Sequence, residues 1–339
     1  MKISIVIPAY NEANTIELVL NELEAYMNNY IGNSGWEIIV VNDGSSDKTI
    51  EILNEMQRAK SWLKIIDMRS NYGRGKALRT GFEEASGNII VSLDADLSYA
   101  PHHIERLVKK MELDNADIVL ASAYGEGGTV KNVPLKRLWI SKLGNKILSY
   151  MFAEKITVLT CLVRAYKREF LNRLDLHSND KEIHLEILSK SRILGGKVVE
   201  VPADLCWREE KTGKLHAKPQ ETRRSTIKIR KTSYSHLFFA LLNKPGFIFW
   251  VPGYILILIS LFVLLTIAKY IMINNHDGIF YAVRNSMLIA SPSWLTMIAS
   301  FILGAQFFTL GFITNQNKRN YEEIYKTLNA IFTELKKGK

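Results

Sequence analysis

The chain has 339 residues, 47% of them hydrophobic, enough for one sizeable domain with its own core plus a smaller appendage but not for two equal domains. Its formal net charge of +10 is uneven: residues 1–207 carry 26 Lys/Arg against 27 Asp/Glu, residues 208–245 carry 10 against 3, and residues 246–339 carry 8 against 4. The basic excess therefore flanks apolar segments, which points to anionic lipid headgroups and away from nucleic acid, while two cysteines, Cys161 and Cys206, exclude a disulfide framework and fit a reducing compartment.

Along the first 122 residues, short apolar runs at Ile3–Ile7, Trp36–Val41, Leu63–Met68, Ile89–Leu93 and Asp117–Ala121 alternate with helix-length amphipathic stretches. Runs rich in Ile, Val and Leu, separated in this way, predict a doubly wound α/β domain with a parallel sheet covered on both faces. The first run directly follows Met1 and reads as a buried strand, not a signal peptide. Farther on, the pattern predicts a helix over Pro134–Tyr150, a strand around Val158–Tyr166, a helix over Asp180–Ile193 and a strand over Val198–Leu205. A basic stretch follows, Arg208–Lys244, whose portion Thr226–Leu242 fits an amphipathic helix on a membrane surface. Residues 245–268 and 285–317 hold no charged side chain, and each is long enough to cross a bilayer, for which about 20 apolar residues suffice. The organisation expected is a doubly wound α/β domain over 1–215, a juxtamembrane segment over 216–245, a transmembrane hairpin over 246–315 with spans near 246–268 and 292–314, and a C-terminal helix or tail over 316–339. The connector's basic residues are Lys269 and Arg284, whereas Arg223, Arg224, Lys228, Arg230, Lys231, Lys244, Lys318 and Arg319 flank the spans, so both termini and the α/β domain are expected on the cytoplasmic side. Ser300 and Gly304 form a small-xxx-small pair suited to close helix packing, and Gln306, mid-span, suits an interhelical hydrogen bond.

Ligands of doubly wound sheets bind beyond the C-terminal ends of the strands. There the chain reads Pro8-Ala9-Tyr10-Asn11-Glu12, then Asn42-Asp43-Gly44-Ser45, then Asp94-Ala95-Asp96-Leu97-Ser98. Two carboxylates one residue apart suit a hard divalent cation that shares its sphere with phosphates, which makes Asp94 and Asp96 the metal candidates. Gly73 and Gly75 lack the third glycine of a dinucleotide fingerprint, which disfavours a dehydrogenase.

In these motifs, over about residues 3–215, the chain resembles the family 2 glycosyltransferases of GT-A fold, and within them the polyprenyl-phosphate sugar transferases typified by the dolichol-phosphate mannose synthases. The resemblance implies that Pro8, Tyr10, Glu12 and Asp43 hold the nucleotide, that Asp94 and Asp96 bind Mg²⁺ or Mn²⁺, and that Arg208, after Val201-Pro202, contacts the diphosphate. Arg69–Ala77 is similar to the family's glycine-containing loop. Within it Lys76 and Arg74 either touch the nucleotide, as is expected of Lys76, or stand on an exposed helix N-terminus. Arg137 and Ser141, four residues apart and so on one helix face, match the pair that contacts the acceptor phosphate. Thr160–Tyr166 resembles a further family segment, in which Arg164 either positions phosphate or pairs with an acid. The chain departs from the pattern at Asn42, Ser98, Leu162 and Ala123; at the last, an expected Arg is missing, and Lys131 or Lys136 is the expected substitute.

The implied reaction is inverting, metal-dependent transfer of a sugar from a UDP- or GDP-sugar to dolichyl or undecaprenyl phosphate at the cytoplasmic face. The resemblance also implies a homo-oligomer, a tetramer in related two-span enzymes. Alternative functions are a processive polysaccharide synthase, whose Gln-x-x-Arg-Trp motif is only half matched by Gln220–Arg224, and a catalytically silent membrane scaffold. Glu186, with Glu182 one turn earlier, is expected on a solvated helix face, and His102 and His103 on the surface near the mouth of the site.

Overall fold

The computed structural model describes residues 2–32, 35–96, 98–152, 156–206, 244–274 and 278–337. The chain divides into two compact units, 1–240 with 329–339, and 241–328.

The first unit is built on a seven-stranded sheet. In chain order its strands are β1 (Ile3–Ala9), β2 (Trp36–Asn42), β3 (Leu63–Asp67), β4 (Ile89–Ser92), β5 (Ile118–Ser122), β7 (Arg164–Lys167) and β8 (Val198–Pro202). The spatial order is β3-β2-β1-β4-β7-β5-β8. Every pairing is parallel except those of β7, which runs antiparallel between β4 and β5, so the expected all-parallel sheet is a mixed one. Two three-residue strands pair separately: β6 (Thr129–Lys131), which the sequence pattern does not announce, and β9 (Asp204–Cys206), into which the strand expected over Val198–Leu205 breaks after β8. The helices of this unit are α1 (Ile16–Ile31), α2 (Thr49–Ala59), α3 (Arg74–Glu83), α4 (His102–Asp114), α5 (Leu135–Phe152), α6 (Arg168–Leu171) and α7 (Ile183–Ile193).

Burial on both faces explains the unbroken apolar runs. Ile3, Ile5 and Ile7 lie in one cluster with Ile16, Leu20, Leu23 and Met27 of α1, while Val6 and Val41 meet α3 at Gly81. A Cβ at Gly81 would stand 2.3 Å from Val6 Cγ1, so the close seat of α3 on the sheet requires glycine. Each buried Ile, Val or Leu contributes about 1.5–3 kcal/mol of transfer free energy, and this core fixes where the strands end.

The second unit holds α8 (Pro245–Ile273), the shorter α9 (Ile279–Ile289) and α10 (Ser291–Lys337), which continues beyond it. Two of these helices are long and apolar enough to cross a membrane, and only 11% and 17% of their most apolar windows are buried, unlike core helices of a soluble domain. They match the expected spans and meet along a seam of small residues. A Cβ at Gly304 would lie 3.1 Å from Gly253 O, a Cβ at Gly253 would lie 3.2 Å from Gly304 O, and Ser260 Oγ donates to Met297 O at 2.9 Å. Ser300 is buried, so the Ser300/Gly304 pair is consumed inside the hairpin. Gln306 is exposed and makes no hydrogen bond among the described residues. The expected amphipathic helix over 226–242 lies outside the described residues.

Candidate active site

The ends of β1 and β2 are laced together by their loops. Asp43 N–H donates to Ala9 O, Asn11 N–H to Ser45 Oγ and Glu12 N–H to Thr49 Oγ1, each at 2.9 Å, while Asn11 Oδ1 accepts from Ser46 N–H at 2.8 Å. Asn11 takes φ 57°, a left-handed conformation that Asn tolerates better than most side chains. Glu12 accepts from Thr15 Oγ1 at 2.8 Å, which makes it a turn-former as much as a ligand candidate. Pro8 is the penultimate residue of β1, and Tyr10 stands exposed just beyond the strand.

Asp43 is buried and accepts from two successive backbone groups, Tyr72 N–H at 2.7 Å and Gly73 N–H at 3.0 Å. Burial pushes its carboxyl up and the charge of Asp180 adds to this, against the opposing pull of the two N–H groups. The loop so held is pressed from its other side by residues 178–180. A Cβ at Gly73, whose φ is 97°, would stand 2.4 Å from Asn179 O, and one at Gly75 would stand 2.5 Å from Ser178 O. Lys76 N–H donates to Asn179 O at 3.1 Å, so the backbone of Lys76 is part of this brace.

What holds residues 177–179 in place is Glu186. Instead of a solvated face it occupies a buried position, 6% exposed, because its carboxylate caps that segment: it accepts from His177 N–H at 2.9 Å, Ser178 N–H at 2.8 Å and Lys190 Nζ at 2.8 Å. Burial alone would raise its carboxyl, but Lys190 and these N–H groups hold it below the usual range. Arg79 fastens the same segment through Leu176 O at 2.8 Å and Asn179 Oδ1 at 2.6 Å.

Beyond β4, Asp94 and Asp96 are half-buried. Arg74 Nη1 comes to 3.5 Å from Asp94 Oδ1, so Arg74 reaches the carboxylate pair from the first turn of α3. Asp96 Oδ1 accepts from Ser98 N–H at 2.9 Å and from Ser98 Oγ at 2.7 Å, which fixes its rotamer without adding a charge. Tyr99 is buried next to Asp94 and Cys161, and burial drives its phenol far above the usual range. An all-oxygen donor set at a strand end suits a hard cation such as Mg²⁺ or Mn²⁺. Strand β9 is stitched to this loop, with Cys206 N–H on Ser98 O at 2.9 Å and a bridge between Tyr99 and Leu205. Arg208 follows and lies outside the described residues.

His102, His103 and Asp204 are the other grouping with metal-ligand chemistry among the described residues. His103 is fully buried, not a surface residue, and both its ring nitrogens are engaged: Nδ1 donates to Ala100 O at 2.8 Å and Nε2 accepts Asp204 N–H at 2.9 Å. Burial holds it neutral by lowering its basicity. Asp204 also receives Thr129 Oγ1 at 2.7 Å and Arg106 Nη1 at 3.3 Å, so this cluster is a clasp between α4, β6 and β9 rather than a cation site.

Ser141, for which the resemblance leads one to expect contact with the acceptor, lies on α5, and its Oγ accepts from Tyr124 OH at 2.8 Å. Lys142 Nζ sits 5.7 Å from the centre of the Tyr124 ring. Ala123, where the resemblance leads one to expect Arg, is buried, so Tyr124 and Lys142 are the polar groups next to Ser141 that sequence reasoning missed. Lys131 closes β6, exposed; the backbones of Lys136 and Arg137 belong to the first turn of α5, and their side chains lie outside the described residues. Helical geometry places Arg137 and Ser141 on one face. Arg164 resolves to neither expected role: it is fully buried and donates to the carbonyls of Cys161 at 2.7 Å, His184 at 3.1 Å and Leu159, shaping the turn before β7.

A cavity of about 640 Å³ lined by Asn88, Met111, Lys167, Arg168 and Asn172 opens at the start of β4, the end of the strand away from Asp94. Its cations are engaged, Lys167 with Asn115 and Asp117, and Arg168 with Ser86 O, so it offers no site of comparable chemistry.

A family model described as "Glycosyl transferase family 2" matches residues 4–175. The chain is 34% identical over 221 residues to a dolichol-phosphate mannosyltransferase of Pyrococcus furiosus, covering 64% of this chain and 60% of that protein. It is 30% identical over 218 residues to a polyprenol monophosphomannose synthase of Mycolicibacterium smegmatis, covering 62% of this chain and 80% of that one. The matched part thus spans less than two thirds of the first relative and four fifths of the second. Among solved structures, glucosyl-3-phosphoglycerate synthase of Mycobacterium tuberculosis, in complex with Mn²⁺, UDP and phosphoglyceric acid, shares the fold with a TM-score of 0.52 at 19% identity, covering 71% of this chain and 78% of that one.

Proposed function

We propose that this chain, which belongs to glycosyl transferase family 2, transfers a sugar from a nucleotide-sugar to the phosphate of a membrane-embedded polyprenyl lipid. The observation that carries the reading is α5. It bears Ser141 on the Tyr124 hydroxyl and Lys142 over the Tyr124 ring, has four basic and no acidic residues, and exposes Leu135, Trp139, Ile140 and Leu143. An apolar stripe with an aromatic residue and flanking lysines is the composition of a helix lying in a lipid interface, where a lipid-linked phosphate resides. The two relatives, named for dolichol phosphate and polyprenol monophosphate chemistry, support the same acceptor class.

In this reading Pro8, Tyr10, Glu12, Asp43 and Lys76 border the nucleotide, with Asp43 fixing the loop that covers it. Asp94 and Asp96 would hold Mg²⁺ or Mn²⁺, which neutralises negative charge developing on the departing diphosphate. Arg74, and Arg208 beyond the described residues, add fixed positive charge to the same group. The acceptor phosphate is anionic at neutral pH and needs orientation rather than deprotonation. Arg137, Ser141 and Lys142 supply it, aiming the phosphate oxygen opposite the leaving group so that the anomeric centre inverts. The candidate spans and the basic residues flanking them support an integral membrane protein with the catalytic domain and both termini cytoplasmic. A partner of the same kind, giving a homo-oligomer such as a tetramer, completes the proposal.

The test is transfer of radiolabelled sugar from a panel of UDP- and GDP-sugars into organic-extractable lipid, using membranes that contain the protein, with Mg²⁺ or with EDTA. A labelled lipid that needs the metal and is lost in Arg137→Ala is the expected result. Labelled polymer would put the processive synthase in its place, and donor hydrolysis without lipid product would remove the acceptor assignment.

A further inference from the structure

We infer that the face of α10 bearing Gln306 is a self-association surface, on which a second copy of this chain packs the same helix so that the two Gln306 amides hydrogen-bond to each other. The inference rests on the reading that the hairpin spans a membrane, and it adds to that reading the surface and the residue through which copies meet.

The hairpin uses only one side of α10. Ser300, Gly304 and Gly311 face α8, where Gly304 lies against Gly253 and Gly311 against Trp250. At about 100° per residue, the middle of that contact lies roughly opposite Ile302, Gln306 and Thr309. These three, with Phe301, Ala305 and Leu310, line a shallow groove of about 510 Å³ on the outward side. Thr309 Oγ1 already donates to Ala305 O within the helix. Among the described residues Gln306 has no such outlet, and it stands exposed.

A primary amide in hydrocarbon carries two N–H donors and a carbonyl acceptor with no water to satisfy them, so a lipid-facing Gln is costly until another polar group reaches it. Two occupants of the groove have different chemistry. A polyprenyl or acyl chain would fill the space and leave the amide unsatisfied. A second copy is self-complementary, because an amide both donates and accepts. All copies insert with the same orientation, so a two-fold axis along the membrane normal puts each Gln306 at the depth of its partner and makes the interface isologous. Ala305 and Thr309 keep the groove shallow enough for two backbones to approach.

The experiment uses the full chain in membranes with Cys206→Ser, Cys161 being buried. Ile302→Cys, on the groove, and Phe308→Cys, well around the helix from it, are oxidised in parallel, and the membranes are then washed with carbonate. A disulfide-linked dimer from Ile302→Cys and none from Phe308→Cys is expected, with the dimer fraction falling about three- to tenfold on adding Gln306→Leu and holding with Gln306→Asn. Equal linking at both positions, indifference to Gln306→Leu, an adduct with a different protein, or no linking in a chain that resists carbonate would each overturn the inference while leaving the spans standing. Release of the chain by carbonate would overturn the spanning reading and this inference with it.

Discussion

Where the proposed function seats the donor, loops are tied to loops by carboxylates withdrawn from water: Asp43 grips the backbone of Tyr72 and Gly73, and Glu186 grips His177 and Ser178, the second of which lies against Gly75. On the acceptor side, Ser141 is held by a single phenol, and α5 turns Trp139, 74% exposed, and Leu135 outward. The first region is pre-organised by the protein alone. Under the proposed function the second would be completed by lipid, the economical arrangement when one substrate diffuses in water and the other never leaves the bilayer.

Four experiments would break or sharpen that contrast. The largest effect is expected of Asp96→Asn, which should lower lipid-sugar formation about 10²–10³-fold while thermal stability is retained; unchanged turnover would remove the carboxylate pair from the site. Glu186→Gln leaves Lys190 without its buried counter-charge and should cost about 3–5 kcal/mol in denaturant unfolding of the membrane-inserted protein. In the same variant the donor KM should rise with kcat nearly intact, since the loop before α3 loses its brace; an unaltered donor KM would mean that the loop holds itself. Lys142→Ala should weaken the acceptor KM roughly tenfold, the value of one hydrogen bond to a charged group, and leave the donor KM alone. The smallest effect concerns pH. Because burial lowers the basicity of His103 in the folded protein, the unfolded chain binds the extra proton first as pH drops below its ordinary value of 6.5. Stability present above that value should therefore decline on acidification, by no more than about 1.4 kcal/mol per pH unit, down to the folded pKa, and His103→Gln should flatten the slope.

The donor side was the more legible half for a physical reason. Its residues follow strands whose Ile and Val are buried on both faces, so the apolar runs announce their own ends, and Asp43, Asp94 and Asp96 stand at those ends. Where tertiary contacts decide, the pattern misled. Glu186 looked like a surface residue beside Glu182 because nothing local shows that residues 177–178 fold over it. The strand expected over 158–166 shrank to Arg164–Lys167 because the carbonyls of Leu159 and Cys161 go to the Arg164 guanidinium instead of to a neighbouring strand. Tyr124 and Lys142 were overlooked because their meeting joins a loop after β5 to the middle of α5, a juxtaposition that no spacing rule encodes.

The place of β7 in the sheet also sets the order in which this molecule can be assembled. Strands β1 to β4 are complete by residue 92 and pair among themselves, whereas β5 joins them only through β7, which begins at residue 164. During synthesis the outer edge of β4 stays unpaired for some seventy residues after Ser92, roughly four to fourteen seconds at ordinary elongation rates, and both edges of β5 stay unpaired from Ser122 until β7 arrives. For that interval a nascent chain displays open strand edges of Ile89-Ile90-Val91 type, the kind of surface that recruits chaperones or stray strands. The half with β1 to β4 is thus built first and waits, and the arrival of the four residues of β7 joins β5 to it before β8 completes the far edge.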